Sequence, residues 1–291
     1  VRELPKELVL PEELAPAIAP GAPPVVPKEA ASVILIRDGA AGPEVFLLRR
    51  VRQMAFAGGM TVFPGGGVDR RDADTTVAWT GPPPQWWADE FGCDVELARA
   101  LVCAAVRETF EESGVLLAGV DPASVVADTA AYAGARAALV ARELSLAEFL
   151  AAHDLVLRAD LLRPWANWLT PEAEIRRYDT RFFLAELPAG QRADGVTTEA
   201  DHAGWRRPAD ALDDWRAGHR GLLPPTWVTL SDLADYDSVA AAMAATRRID
   251  KVMPKVIRDG GALRVILPGD PRYDAAAAHL DAQPGDELEH S

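Results

Sequence analysis

Three carboxylates in Arg107-Glu108-Thr109-Phe110-Glu111-Glu112-Ser113-Gly114-Val115 are spaced for chemistry. Glu108, Glu111 and Glu112 stand at i, i+3 and i+4, which is one face of a helix. They can present their oxygens to one point. That donor set suits Mg2+ or Mn2+, hard cations that prefer carboxylate and phosphate oxygens. Without a cation, three acids on one turn repel one another. Arg107 precedes Glu108 directly and Glu111 by four positions, so it can bridge to a neighbouring carboxylate and hold the acidic turn in shape. A bare turn of this kind is more often a solvated helix end. Here an Arg-Glu pair opens it, a Gly-Val step closes it, and Val62-Phe63-Pro64-Gly65-Gly66-Gly67-Val68 ends a strand in a glycine turn upstream.

These residues need elements to position them. Val95 to Ser113 reads as one helix, because Leu97, Leu101, Val102, Ala105, Val106 and Phe110 recur at helical spacing. Gly114 is its stop. Ahead of it, Ala31–Arg37 and Glu44–Arg50 read as a hairpin, and Met60–Phe63 as a third strand. Residues from about 69 to 94 are polar and contain Pro82-Pro83-Pro84 and Trp86-Trp87, the pattern of a long loop with a short helix. Ala123 to Leu162 reads as helical, with Ser145 and Glu148 in capping-box spacing, and Pro164–Pro171 breaks it. Tyr178–Leu187 and Gly204–Arg206 are strands, Pro208 and Pro224 open helices (the second running to about Arg247), and Leu263–Leu267 is the last strand. Residues 1–28, rich in Pro, Ala and Glu, form an extended lead-in to a single domain over 29–291.

Hydrophobic content of 49% and charged content of 25% over 291 residues are those of a globular protein with a sizeable core. A net charge of −14, from 44 acidic and 30 basic residues, argues against a nucleic-acid partner, because phosphate grooves need clustered Lys and Arg. No apolar run approaches a membrane span, so no membrane partner is expected. Two cysteines, Cys93 and Cys103, make a disulfide framework improbable. With neither a signal-peptide core nor a C-terminal tag, the expected setting is cytoplasmic. The abundance of arginine and alanine is that of a GC-rich bacterial gene.

Residues 107–115 and Gly66 together resemble the Nudix hydrolases, whose signature is G-x5-E-x7-R-E-U-x-E-E-x-G-U with U apolar. The resemblance implies an α+β fold, an α/β/α sandwich with a mixed sheet and added helical insertions (here about 121–170). It also implies metal-assisted hydrolysis of a nucleoside diphosphate linked to another group. The signature is split here: its glycine and arginine should be 14 positions apart, and Gly66 and Arg107 are 41 apart, an insertion of about 27 residues. Thr109 stands at the first apolar position. Counting forward from Gly66 puts the early acid at Asp72, while Glu96 is the nearest glutamate on the other side of the insertion. A split box of this kind resembles the peroxisomal coenzyme A diphosphatase-like branch, as do the segments around Arg49–Phe63, Trp168–Leu184 and Leu223–Thr226.

On that resemblance, Glu108, Glu111 and Glu112 are the metal ligands, and Arg107 supports them. Glu111, Glu112 and Glu199 enter as catalytic acids, with Glu112 and Glu199 the candidates for general base. Arg49, Arg50 and Arg52 are candidates to hold phosphates, Phe56 to stack on a base, and Gly65 and Gly66 to line the turn beneath the substrate. Trp86 and Trp87 could also stack, although packing is the stronger expectation for them. The substrate is a small nucleotide-containing diphosphate: coenzyme A or its esters, NADH or ADP-ribose. A homodimer is compatible with the family. The competing reading is a nucleotide sensor of the same fold that binds without turnover. RNA decapping is disfavoured by the acidity.

Overall fold

The structure, a computed structural model, describes residues 4–5, 8–10, 24–51, 57–172, 174–197, 200–259 and 261–276. The elements in chain order are β1 (Val9–Leu10), β2 (Lys28–Gly39), β3 (Gly42–Arg50), β4 (Met60–Val62), β5 (Gly65–Gly67), a 3-10 turn over Arg70–Ala73, β6 (Trp79–Thr80), α1 (Pro84–Phe91) and α2 (Val95–Ser113). Then come β7 (Ala118–Gly119), α3 (Ala133–Val140), α4 (Leu146–Ala152), β8 (Val156–Arg158), β9 (Leu162–Leu169), β10 (Tyr178–Glu186) and β11 (Ala200–Arg206). The last are α5 (Pro208–Arg216), β12 (Gly221–Leu222), α6 (Pro224–Leu233), α7 (Val239–Met243), β13 (Lys251–Val252), β14 (Lys255–Asp259) and β15 (Ala262–Ile266).

The chain divides into two compact units. The larger is Glu29–Asn167 with Thr180–Asp250, and the smaller comprises the described parts of 1–28, 168–179 and 251–291. In the smaller unit β14 and β15 form a hairpin, and β1 adds antiparallel to β15 with Val9 opposite Arg264. Lys251 Nζ donates to Asp179 Oδ2 at 2.6 Å in the same unit.

The larger unit carries a mixed sheet in the order β12-β4-β3-β2-β10-β9, with β11 added to β3 and β5 to β2. β12 runs parallel to β4, whereas β3 pairs antiparallel with β2, β4 and β11. This is the α+β class expected. The run Ser32-Val33-Ile34-Leu35-Ile36 is buried throughout, as a strand covered on both faces requires. α2 lies in a core with Phe46 and Leu48 of β3 on the sheet, and Leu101, Val102, Ala105 and Phe110 are fully or nearly fully buried. Its bounds match the apolar spacing. Asp94 caps it by accepting from Leu97 N, and Gly114 ends it at φ 73°.

Four expectations give way in whole or in part, the first being the helix from Pro224, which stops at Leu233 and is followed by the separate α7 instead of running to about Arg247. The 69–94 stretch holds the short helix expected, as α1, but is less of a loop than its polarity implies: the 3-10 turn and β6 precede α1, which packs on α2. The 123–162 stretch holds two short helices and strand β8. Asp121 and Asp128 accept from nearby backbone N–H groups there, which competes with helix, while the Ser145–Glu148 capping box forms as its spacing implies. Pro164–Pro171 mostly continues as β9 instead of a break, because Trp165 and Trp168 favour a half-buried strand. Among the described residues no helix is long and apolar enough to cross a membrane.

Trp87 is fully buried, stacked on Phe91 at 6.1 Å and tilted against Phe183 of β10 at 5.5 Å. It is therefore a core residue, not a platform for a base. Trp86 sits edge-on to it and is half-buried. Trp87→Ala is expected to lower the free energy of urea unfolding by about 3–5 kcal/mol, and Trp86→Ala by distinctly less.

Candidate active site

Arg107 lies in the last two turns of α2. Its side chain reaches across the insertion to Asp72 in the 3-10 turn. Nε donates to Asp72 Oδ1 and Nη2 to Asp72 Oδ2, both at 2.9 Å. Nη2 also donates to the Gly67 carbonyl at 3.0 Å. Nη1 donates to Glu108 Oε1 at 2.6 Å and to Glu111 Oε1 at 3.2 Å. Five acceptors thus meet the five N–H bonds of one guanidinium. The Asp72 side chain is 1% exposed. It also accepts from the Asp69 backbone N–H at 2.8 Å and so closes a capping box on its own turn. The position counted forward from Gly66 is therefore the one that serves Arg107. Glu96 lies exposed in the first turn of α2.

Gly66 sits against Glu108. A Cβ there would come within 2.5 Å of the Glu108 Cδ and Oε1 atoms, so the close approach requires glycine. Glu112 is buried, and its Oε2 accepts from the Gly65 N–H at 2.7 Å. Two successive glycines thus each meet a different glutamate of the helix.

The electrostatics are unbalanced. One guanidinium faces the carboxyl groups of Asp72, Glu108 and Glu111, three acids to one base at hydrogen-bond distance. Burial pushes the Glu108 carboxyl up to about 7, against the pull of Arg107 and helped by the charge of Glu111. Burial raises Glu111 as well. Arg107 loses by burial, but its bond to Asp72 and the charges of Glu108, Asp72 and Glu111 outweigh that and hold it above the usual arginine value.

Among the described residues, no three acidic, histidine or cysteine side chains are gathered as a ready metal site. Glu108 and Glu111 come together on Arg107, and Glu112 turns to Gly65. The donor set nevertheless fits a hard divalent cation: largely buried carboxyl oxygens that outnumber the guanidinium they share. Of the other sequence candidates, Arg50 ends β3, and alternation puts it on the face of Phe46 and Leu48, toward α2. Arg49 points to the opposite face and pairs with Asp201 at 2.6 Å. Arg52, Phe56 and Glu199 lie outside the described residues.

The sequence reading missed the far end of α2. Arg136 of α3 donates from Nε to the Glu111 carbonyl at 3.0 Å and makes a two-pronged pair with Asp194 at 2.8 and 2.9 Å. A Cβ on Gly114 would lie 2.9 Å from both partners. Asp194 N donates to the Ser113 carbonyl, and the Gln191 amide bonds both backbone groups of Leu116. A cation at the end of a helix also complements its dipole. Arg136 and Asp194 are 58 positions apart, so no local pattern reports them.

Gly66→Ala is expected to destabilise the fold by about 1–3 kcal/mol, since a rigid Cβ must displace the Glu108 carboxylate. Gly67→Ala is the control: its Cβ would meet nothing closer than the Glu29 carbonyl at 3.9 Å, and it should stay within about 0.5 kcal/mol of wild type in thermal or urea unfolding.

The model of the NUDT19 Nudix domain matches residues 88–233, which include α2. The chain is 25% identical to the acyl-coenzyme A diphosphatase NUDT19 of Xenopus laevis over 270 residues, covering 79% of this chain and 71% of that protein. It is 30% identical over 222 residues to the putative nudix hydrolase 7 of Caenorhabditis elegans, covering 72% and 62%. Among solved structures, a NUDIX hydrolase from Alicyclobacillus acidocaldarius superposes with a TM-score of 0.65 at 28% identity, over 77% of this chain and 98% of that one. The glycine turn, the arginine-bound acidic helix and these matches lead to one conclusion: the chain belongs to the Nudix hydrolase family.

Proposed function

We propose that the protein hydrolyses the diphosphate of a nucleotide-linked small molecule in a reaction dependent on Mg2+ or Mn2+, with coenzyme A and its acyl esters ahead of NADH and ADP-ribose as substrates. The observation that carries this reading is the buried turn in which Glu108 and Glu111 share Arg107 with Asp72 beside the Gly65–Gly67 backbone, more acids than the one guanidinium that holds them. The relatives named as acyl-coenzyme A diphosphatases support coenzyme A as the first substrate to try.

Glu108, Glu111 and Glu112 would hold the cation, which when bound neutralises diphosphate charge and acidifies a water. Arg107 keeps Glu108 and Glu111 in register with each other. The Gly65 N–H fixes one oxygen of Glu112. Glu112 is a candidate to take the proton of the attacking water, and Glu199 is a second. Attack at one phosphorus, in line with the bridging oxygen, expels the other phosphate. Arg50 and Arg52 are the candidates to meet its charge, and Phe56 to stack on a base; Arg49 lies on the other face, paired with Asp201. The sensor alternative drew on the displacement of the early acid. With Asp72 bonded to Arg107, that motive is gone.

The test is a panel of coenzyme A, NADH and ADP-ribose with Mg2+ or Mn2+, comparing wild type with Glu111→Gln. Wild type should release 3′,5′-ADP from coenzyme A, and chelation by EDTA should abolish the release reversibly. Glu111→Gln should lose on the order of a hundredfold or more in kcat. Tight binding with no product from any of the three substrates would refute the enzyme reading.

A further inference from the structure

Across the sheet from α2 lies a group of arginines with too few partners. Leu48 and Val62 face the α2 core, so their neighbours Arg49 and Thr61, which stand opposite each other on β3 and β4, face the other way. Arg220, just before β12, points into the same place. Its side chain is 16% exposed, and its Nη1 donates to Thr61 Oγ1 at 3.2 Å. Its Nε is buried with no hydrogen-bond partner among the described residues. Among the described residues its carboxylate partner is Asp214, 3.6 Å from Nη2 and already held by Arg206 at 2.8 and 3.0 Å. Asp201 is likewise taken by Arg49, whose side chain is 49% exposed. Among the described residues, three guanidinium groups therefore meet these two carboxylates. Burial, together with the charges of Arg206 and Arg49, pulls Arg220 below the usual arginine value against the attraction of Asp214.

We propose that Arg220, with Arg49, forms a subsite for a phosphate monoester of the substrate. A half-buried guanidinium with an unpartnered Nε and only a distant, shared carboxylate can take a further anion, and a phosphate with three terminal oxygens matches its planar fork. A cation is excluded by the charge. The site lies at the end of the sheet that carries the glycine turn: Thr61 is four residues before Gly65, at most about 14 Å of chain. The subsite rests on the diphosphatase reading and deepens it. It selects a nucleotide that carries a 3′-phosphate as well as its diphosphate, as coenzyme A does, over one that ends in an unphosphorylated ribose. It also gives Arg49 a role on the face away from the acidic helix.

The experiment is calorimetric titration of the full chain with adenosine 3′,5′-bisphosphate and with AMP, for wild type, Arg220→Gln and Arg220→Lys. Wild type should bind the bisphosphate at least about tenfold more tightly than AMP. Arg220→Gln should remove that preference while leaving AMP binding unchanged, and Arg220→Lys should keep part of it. Equal affinity for the two nucleotides in wild type, binding of neither, or an equal loss for both in Arg220→Gln would overturn the subsite. Hydrolysis of coenzyme A and of dephospho-coenzyme A separates this from the parent reading. Hydrolysis of neither, with an Arg220-dependent preference for the bisphosphate intact, leaves the subsite standing and removes the enzyme. Equal kcat/KM for both, with equal losses in Arg220→Gln, does the reverse.

Discussion

The guanidinium of Arg107 is the joint on which the site depends. It is bonded to Asp72 in the 3-10 turn, to the Gly67 carbonyl at the end of the glycine strand, and to Glu108 and Glu111 on its own helix. Two stretches 35 to 40 positions apart in sequence are held by one planar group with every donor used. Such an arrangement is sensitive to loss of either partner, because removing one side of a buried pair strands the other charge, typically at about 3–5 kcal/mol. It is also rigid in a way that a lysine would not be, since the fork fixes direction as well as charge.

The insertion between the glycine turn and α2 interrupts the sequence signature but not this joint. Asp72 comes before most of the inserted chain, so the acid stays on the turn that follows Gly67 while the extra residues loop away and return. They return as α1, which buries Trp87 against Phe91 and Phe183 and covers α2. The added chain thus contributes to the core around the helix. Charge divides across the sheet in the same orderly way. Arg107 meets three carboxyl groups on the α2 side, whereas Arg49, Arg206 and Arg220 meet Asp201 and Asp214 among the described residues of the other, within a chain of net charge −14.

Much of this was readable in the sequence where the determinant is local. The spacing of Leu97 to Phe110 and the glycine at 114 gave α2 to the residue, and the i, i+3, i+4 acids with an arginine ahead of them gave the bridge from Arg107 to Glu108 and Glu111. Asp72 was one of two candidates, and the choice between it and Glu96 needed three dimensions. What was not readable depends on long-range contact. Arg136 with Asp194, Gly66 beneath Glu108, and Arg220 on Thr61 are pairs set by topology, and their residue types are unremarkable in isolation. The β9 segment misled because prolines signal a break locally, whereas two tryptophans with a sheet to pack on decided the outcome.

A double-mutant cycle between Asp72 and Arg107 tests the central claim most directly. Asp72→Ala, Arg107→Ala and the double variant would be compared by urea unfolding, with Glu96→Ala as the control. The coupling energy should be about 1.5–3 kcal/mol, with Glu96→Ala additive to Arg107→Ala. Additivity of Asp72 and Arg107 within about 0.5 kcal/mol, or a coupling that appears with Glu96 instead, would contradict the account.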